Sequence, residues 1–168
     1  TPIAGFDHPA FGLTTIGVAE PQRPTRVSVD PAQSLPLHAT ASGIACLAFS
    51  SDTFVRDFLA ETDLRRYTAR TCVSKRELRA RLAETRERGF SLAVRGFDDE
   101  VTSIAVPIFD AEGRVFAAVA VASIASRFNK NTERHIAGCA LRTAAGITEA
   151  TGGVVHPTVE RAIRASRP

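Results

Sequence analysis

Two apolar runs, Thr102–Phe109 and Arg114–Ser123, are separated only by Asp110-Ala111-Glu112-Gly113. A connection of four residues ending in Gly joins strands only as antiparallel neighbours, because a parallel crossover needs about a dozen residues or more. These two neighbours therefore mean an antiparallel sheet. Phe90–Val94 reads as a third strand just upstream. Leu13–Ala19 and Thr25–Val29 read as two more, separated by the Pro-rich Glu20–Pro24, and Pro31 and Pro36 bracket a loop. Residues 1–11 are rich in turn formers and carry no clear period.

The remaining segments have helical spacing. A short helix runs from about Thr40 to Ala48, and its small residues Ala41, Ser42, Gly43 and Ala45 let a backbone or a ligand come close. Asp52 reads as the N-cap of a helix over Thr53–Ala60. Ser74-Lys75-Arg76-Glu77 is a capping box, Leu78 and Leu82 follow at helical spacing, and Gly89 stops the helix. Arg76, Arg79, Arg81, Arg86 and Arg88 mix with Glu77, Glu84 and Glu87 there, a pattern of a solvated face rather than a DNA stripe. Asn131 to Thr151 carries Ile136, Ala140, Ala144 and Ile147 on one face, Gly152-Gly153 ends it, and Thr158–Arg167 reads as a short extra helix. Strands, helices, strands, helix in that order predict an α+β domain over residues 13–153, with an N-terminal segment or linker at 1–12 and a tail or short helix at 154–168.

Composition narrows the class further. A chain of 168 residues with 44% hydrophobic and 23% charged residues suits one folded domain and excludes collagenous and disordered chains. No apolar run approaches the roughly 18 residues that cross a bilayer, and Thr1–Phe11 lacks the pattern of a signal peptide. The net charge is only +3, and the 21 basic residues, all Arg except Lys75 and Lys130, form no block that would grip a phosphate backbone. No Met occurs, even at position 1, so the chain is expected to begin partway through a longer protein.

Catalytic and metal signatures are missing. Cys46, Cys72 and Cys139 are odd in number and far apart, which argues against a disulfide framework; Cys46 and Cys139 lie among small apolar residues and read as buried thiols. His8, His38, His135 and His156 are scattered, with no zinc-ligand spacing, and Asp98-Asp99-Glu100 reads as a solvated turn rather than a cation loop. No nucleophile elbow, phosphate loop or dinucleotide fingerprint is present, and Ser42-Gly43 lacks the strand-turn-helix context of a nucleophile. A binding module is expected rather than an enzyme.

The segment Leu35-Pro36-Leu37-His38-Ala39-Thr40-Ala41-Ser42-Gly43 resembles the signature that opens the main helix of IclR-type (isocitrate lyase regulator type) bacterial transcription factors. Tyr67-Thr68-Ala69-Arg70-Thr71, the helix from Leu78 through Arg86-Glu87-Arg88-Gly89-Phe90-Ser91, and Ser103–Val115 continue the resemblance in order and spacing over roughly residues 13–150. It implies a C-terminal effector-binding domain with a GAF/profilin-like fold, a curved antiparallel sheet flanked by helices. It further implies a cytoplasmic regulator that forms dimers or tetramers and binds a small-molecule effector, with no cofactor and no membrane contact. DNA would be read by a winged helix-turn-helix half preceding Thr1 and absent from this chain.

By position, the resemblance places a pocket wall at Val27, Leu35, Ala41, Ser42, Gly43, Ala93, Val101, Ser103, Ala120 and Ala122. Independently of it, the first turn of the helix at Thr40 offers free N–H groups and a positive dipole end, which suit a carboxylate. Members that bind small oxo-acids carry a carboxylate and several Cys or Ser on the sheet side, where this chain has Ala93, Ser103, Ala120 and Ala122. Gly96 and Glu100 also depart from the pattern, exchanging a usual Glu and Gly. A wider, drier pocket for an apolar or aromatic carboxylate is therefore expected. The alternative is a collapsed pocket in a domain that serves only oligomerisation.

Overall fold

The computed structural model describes residues 3–7 (backbone), 12–20, 22, 26–28, 30 and 33–166. Six strands form one sheet: β1 Ile3–Asp7, β2 Gly12–Gly17, β3 Leu35–Pro36, β4 Ser91–Val94, β5 Val101–Phe109 and β6 Val115–Ile124. Their order is β3-β2-β1-β6-β5-β4, and every neighbouring pair is antiparallel. The expected hairpin is β5–β6, with Thr102 opposite Ser123 and Ala105 opposite Ala120. Asp110 closes its turn by accepting from the Glu112 and Arg114 N–H groups at 3.0 and 2.8 Å. Those bonds, with the Arg114 backbone donor foremost, hold the Asp110 carboxyl below its usual pKa.

Two upstream expectations do not hold. Residues 3–7, placed from sequence in an N-terminal segment or linker outside the domain, form β1, which joins β2 to β6 and makes the sheet continuous. Five residues that include Gly5 are too few to show a period; their strand character comes from the ladders on both sides. The strand expected over Thr25–Val29 is absent where it is described: Arg26–Ser28 is irregular, while Thr25 and Val29 lie outside the described residues.

Helices cover both faces of the sheet. α1 Ala41–Phe49, α2 Asp52–Glu61 and α3 Lys75–Arg88 lie with one core, and α4 Lys130–Ala150 and α5 Pro157–Ala165 with the other. Alternation along β5 and β6 separates the cores. Ile104, Val106, Ile108 and Val119 face α4, whereas Ala105, Ala118 and Ala120 face α1. The α1 side is nearly all alanine, so the helix sits close to the strands. Eight of its nine residues are buried, as expected of a helix apolar all round.

Local caps follow the sequence with small shifts. Thr40 caps α1, its Oγ1 accepting from Gly43 N at 3.1 Å and donating to Pro36 O at 2.9 Å. Ser51, not Asp52, caps α2; its hydroxyl accepts from Phe54 N at 3.2 Å, and Asp52 is the first helical residue. Ser74 caps α3 as expected, but the Glu77 carboxylate pairs with Arg81 at 2.8 Å. The Arg81–Glu77 and Arg88–Glu84 pairs confirm a solvated face on α3. Cys46 and Cys72 are buried, but Cys139 is exposed, because α4 buries the stripe of Ala137, Ala140, Leu141 and Ala144 and turns position 139 outward.

His156 caps α5 and carries a pH-dependent share of stability. Its Nδ1 accepts from Thr158 N at 3.2 Å, and its ring stacks on Phe109 at 5.6 Å with Phe49 edge-on at 5.0 Å. Burial, and then the nearby Arg161 charge, hold its pKa below the usual 6.5. The unfolded ring takes a proton at higher pH than the folded one, so this stability is complete above about pH 6.5 and is lost as pH falls below it. Asn accepts at an N-cap without titrating. Melting temperatures measured from about pH 7 down to about pH 5 should therefore fall more steeply for the wild type than for His156→Asn. Parallel curves would contradict this role.

Candidate functional site

A cavity of about 490 Å³ lies between the start of α1 and the α1-side face of the sheet. Ala39, Thr40, Ala41 and Ser42 form its helical wall, and Ala93, Val101, Ser103, Ala120, Ala122 and Ile124 its floor. The register explains the floor: Ala93 lies opposite Ser103, and Ser103 opposite Ala122, so one row of small side chains crosses three strands. Thr15 and Leu35 close the β2–β3 side, Val27 and Gln33 the preceding loop, and Phe97 the turn between β4 and β5. This volume falls within the roughly 300–1,000 Å³ usual for small-molecule sites, so the alanines leave open space rather than collapsing onto the helix.

Nine of the ten residues placed on the wall from sequence line this cavity: Val27, Leu35, Ala41, Ser42, Ala93, Val101, Ser103, Ala120 and Ala122. Gly43 does not. A Cβ there would stand 2.3 Å from Leu37 Cα and Leu37 O, so this glycine is needed for packing against the preceding loop. Thr15, Phe97 and the rim residues Arg26, Asp30, Asp98 and Glu100 are additions. Thr15 was legible only as an alternate position on a strand with Leu13; its place on the wall depends on how the strands pair.

The turn between β4 and β5, which carries Gly96 and Glu100, is a packed corner. Thr68 Oγ1 donates to Arg95 O at 2.6 Å and Thr71 Oγ1 to Gly96 O at 2.7 Å. A Cβ at Gly96 would lie 2.6 Å from Ala39 O, so no larger side chain fits between this turn and the start of α1. Asp98 Oδ1 accepts from Glu100 N at 2.7 Å in the exposed part of the turn. No group of three or more His, Cys, Asp or Glu suited to a metal ion occurs among the described residues.

Polarity within the cavity is concentrated at α1. Of the first amides there, Gly43 N is taken by Thr40 Oγ1 and Ile44 N by Thr40 O, while Ala41 N and Ser42 N have no partner among the described residues. These two N–H groups stand at the positive end of the helix, and Ala41 and Ser42 are 1% and 6% exposed. The Ser42 and Ser103 hydroxyls also lack protein partners among the described residues, and no base sits beside Ser42 to make it a nucleophile. At the rim, Arg26 pairs with Glu20, and Ser28 Oγ donates to Glu20 at 3.0 Å. Those two bonds, Arg26 foremost, hold the Glu20 carboxyl below its usual pKa. With Asp30, Asp98 and Glu100 also at the rim, an anion is favoured inside by backbone N–H groups rather than by surplus positive charge.

Comparison with known proteins identifies the family. Residues 14–149 match the family described as bacterial transcriptional regulator IclR C-terminal. The transcriptional repressor IclR of Escherichia coli K12 is 34% identical over 134 residues, covering 77% of this chain and 47% of the repressor. The crystal structure of an IclR-type transcriptional regulator from Silicibacter sp. TM1040 is 32% identical, with a TM-score of 0.86 over 94% of this chain and 61% of that one. A double mutant of the inducer-binding domain of PobR from Acinetobacter, solved with 3-hydroxybenzoic acid, shares the fold at 22% identity, with a TM-score of 0.77 over 88% and 86% of the two chains. The chain spans about half the length of the E. coli repressor, and the relatives are regulators of transcription rather than enzymes. No helix among the described residues is long and apolar enough to cross a membrane. This chain belongs to the IclR family of bacterial transcriptional regulators, as their α+β C-terminal domain.

Proposed function

We propose that this domain senses a small organic acid with an apolar or aromatic body, and that its occupancy modulates operator binding by a DNA-reading half of the full regulator. The observation that carries this reading is the pair of N–H groups at Ala41 and Ser42, buried at the start of α1 and facing a cavity floored by alanine. The carboxylate accepts from that pair, and the body of the acid lies over Ala93, Ala120 and Ala122. That a double mutant of PobR's inducer-binding domain holds 3-hydroxybenzoic acid supports an aromatic acid in this fold. As in the family, the full protein acts as a cytoplasmic dimer or tetramer, and DNA contact belongs to its other half.

A thermal-shift screen of hydroxybenzoates, phenylacetates and short oxo-acids, each beside its primary amide, tests the proposal. Ligand at about 100 times its Kd adds about 2.7 kcal/mol, several degrees for a domain of this size. The acids are expected to raise Tm and the amides not. Stabilisation by glyoxylate-like acids alone would remove the dry-pocket part, and silence toward every acid would remove the carboxylate site.

A further inference from the structure

A second cavity, of about 890 Å³, lies where the first half of α4, α5 and the end of α3 meet. Its charge balance is opposite to that of the first cavity. Four arginines and two glutamates line it, where the first has Arg26 against Asp30, Asp98 and Glu100. Of the two glutamates, Glu133 is taken by Arg88, which also pairs with Glu84 at 3.3 Å. The other three arginines, Arg134, Arg142 and Arg161, have no carboxylate partner among the described residues. Arg142 donates to Cys139 Sγ at 3.7 Å and Arg161 to Thr158 Oγ1 at 3.4 Å, long contacts to neutral acceptors. The sequence leaves these arginines free, because no position three or four places from any of them is acidic. Arg81, Arg88 and Arg164, by contrast, each have a Glu four places away and pair with it.

Their placement converges on one spot. Arg134, Gly138 and Arg142 follow at intervals of four residues and so form one row on α4, about 12 Å from end to end. Gly138 leaves the middle of that row bare, and Arg142 Nη1 stands 3.4 Å from where its Cβ would be. Arg161 lines the same cavity from α5. We infer that this groove binds a phosphorylated small molecule, with the phosphate over Gly138 between the arginines of α4 and α5. A phosphate group offers three strong acceptor oxygens, enough for guanidinium forks from two helices, where the two oxygens of a carboxylate match one fork. The carbon body of the ligand lies on Ala137, Leu141 and Ala162. A nucleic-acid backbone fits less well, since these arginines sit in a concavity edged by Glu87 and not along an unbroken basic stripe. The inference needs nothing from the carboxylate reading of α1.

Calorimetric titration at fixed ionic strength tests it with pyrophosphate, glucose 6-phosphate beside glucose, citrate and a short DNA duplex. The proteins are the wild type, Arg134→Gln/Arg142→Gln, and Arg76→Gln/Arg79→Gln, which removes the same charge from exposed positions of α3 outside the groove. The wild type should bind pyrophosphate and glucose 6-phosphate one per chain and ignore glucose. Affinity should fall about tenfold or more in Arg134→Gln/Arg142→Gln. The unliganded Tm of that variant should be unchanged, because both side chains are exposed. Arg76→Gln/Arg79→Gln should bind as the wild type does, and so should Ala122→Phe, which fills the first cavity instead. No binding of either phosphate overturns the site, and equal loss in the two double variants reduces it to net charge. Loss in Ala122→Phe would put the phosphate in the first cavity, and a Tm several degrees lower in Arg134→Gln/Arg142→Gln would give those arginines to the fold. Citrate that binds as tightly as pyrophosphate and weakens in the same variant overturns the phosphate class, as does a duplex that binds more tightly. The carboxylate site is tested separately, by the acids and their amides.

Discussion

Gly43→Ala should destabilise the domain by at least about 3 kcal/mol, a large part of the 5–15 kcal/mol typical of a folded domain. Helix propensity alone gives the opposite sign, since alanine is favoured over glycine in a helix by about 1 kcal/mol. Contact geometry decides. The added methyl would lie 2.3 Å from both Leu37 Cα and Leu37 O, backbone atoms that cannot swing aside like the end of a long side chain. Either α1 moves away from the loop, which opens the buried layer of Ile44, Ala45, Cys46 and Leu47, or Leu37 gives up its buried seat. Urea denaturation followed by circular dichroism reads the sign directly. A variant as stable as the wild type would show that α1 does not lie as close to Leu37 as described.

Ala122→Phe has its large effect on binding instead of folding. Ala122 is half-buried and lines the cavity floor, so a phenyl ring can occupy the space left by its small neighbours Ala93, Ser103 and Ala120. That ring takes the volume assigned to the body of the effector, and affinity should fall at least about 100-fold, or about 2.7 kcal/mol. The unliganded Tm should stay within a few degrees of the wild type or rise, as for cavity-filling changes. Titration of the acid that most stabilises the wild type measures the loss. Undiminished binding would place the effector elsewhere.

The sequence made much of this legible where the signal is local. The β5–β6 hairpin follows from one short turn between two apolar runs, and the start of α3 from Ser74 and its end from Gly89. Nine positions that the family resemblance places on the pocket wall do line the cavity, because the resemblance carries the alternation of β5 and β6 and the small residues opening α1 with it. What was not legible depends on partners distant in sequence. β1 is a strand because β2 and β6 flank it, and Arg26–Ser28 is not, despite its composition. Gly43 looks like one more small residue near a ligand until Leu37 is seen behind it. Cys139 sits among small residues in sequence but on the outer side of α4 in space. Thr15 joins the cavity wall together with Leu35 and Val27, which lie far from the residues of β4–β6 in sequence.

On the proposed reading, the start of α1 recognises a carboxylate inside an alanine-floored cavity. The most direct measurement is a calorimetric titration of the wild-type domain with the best stabilising acid and with its primary amide, which keeps the shape and removes the charge. Burial of the anion against the Ala41 and Ser42 N–H groups should make the acid bind one per chain and about 100-fold or more tighter than the amide. Equal affinity for acid and amide, or no binding of either, would contradict the account.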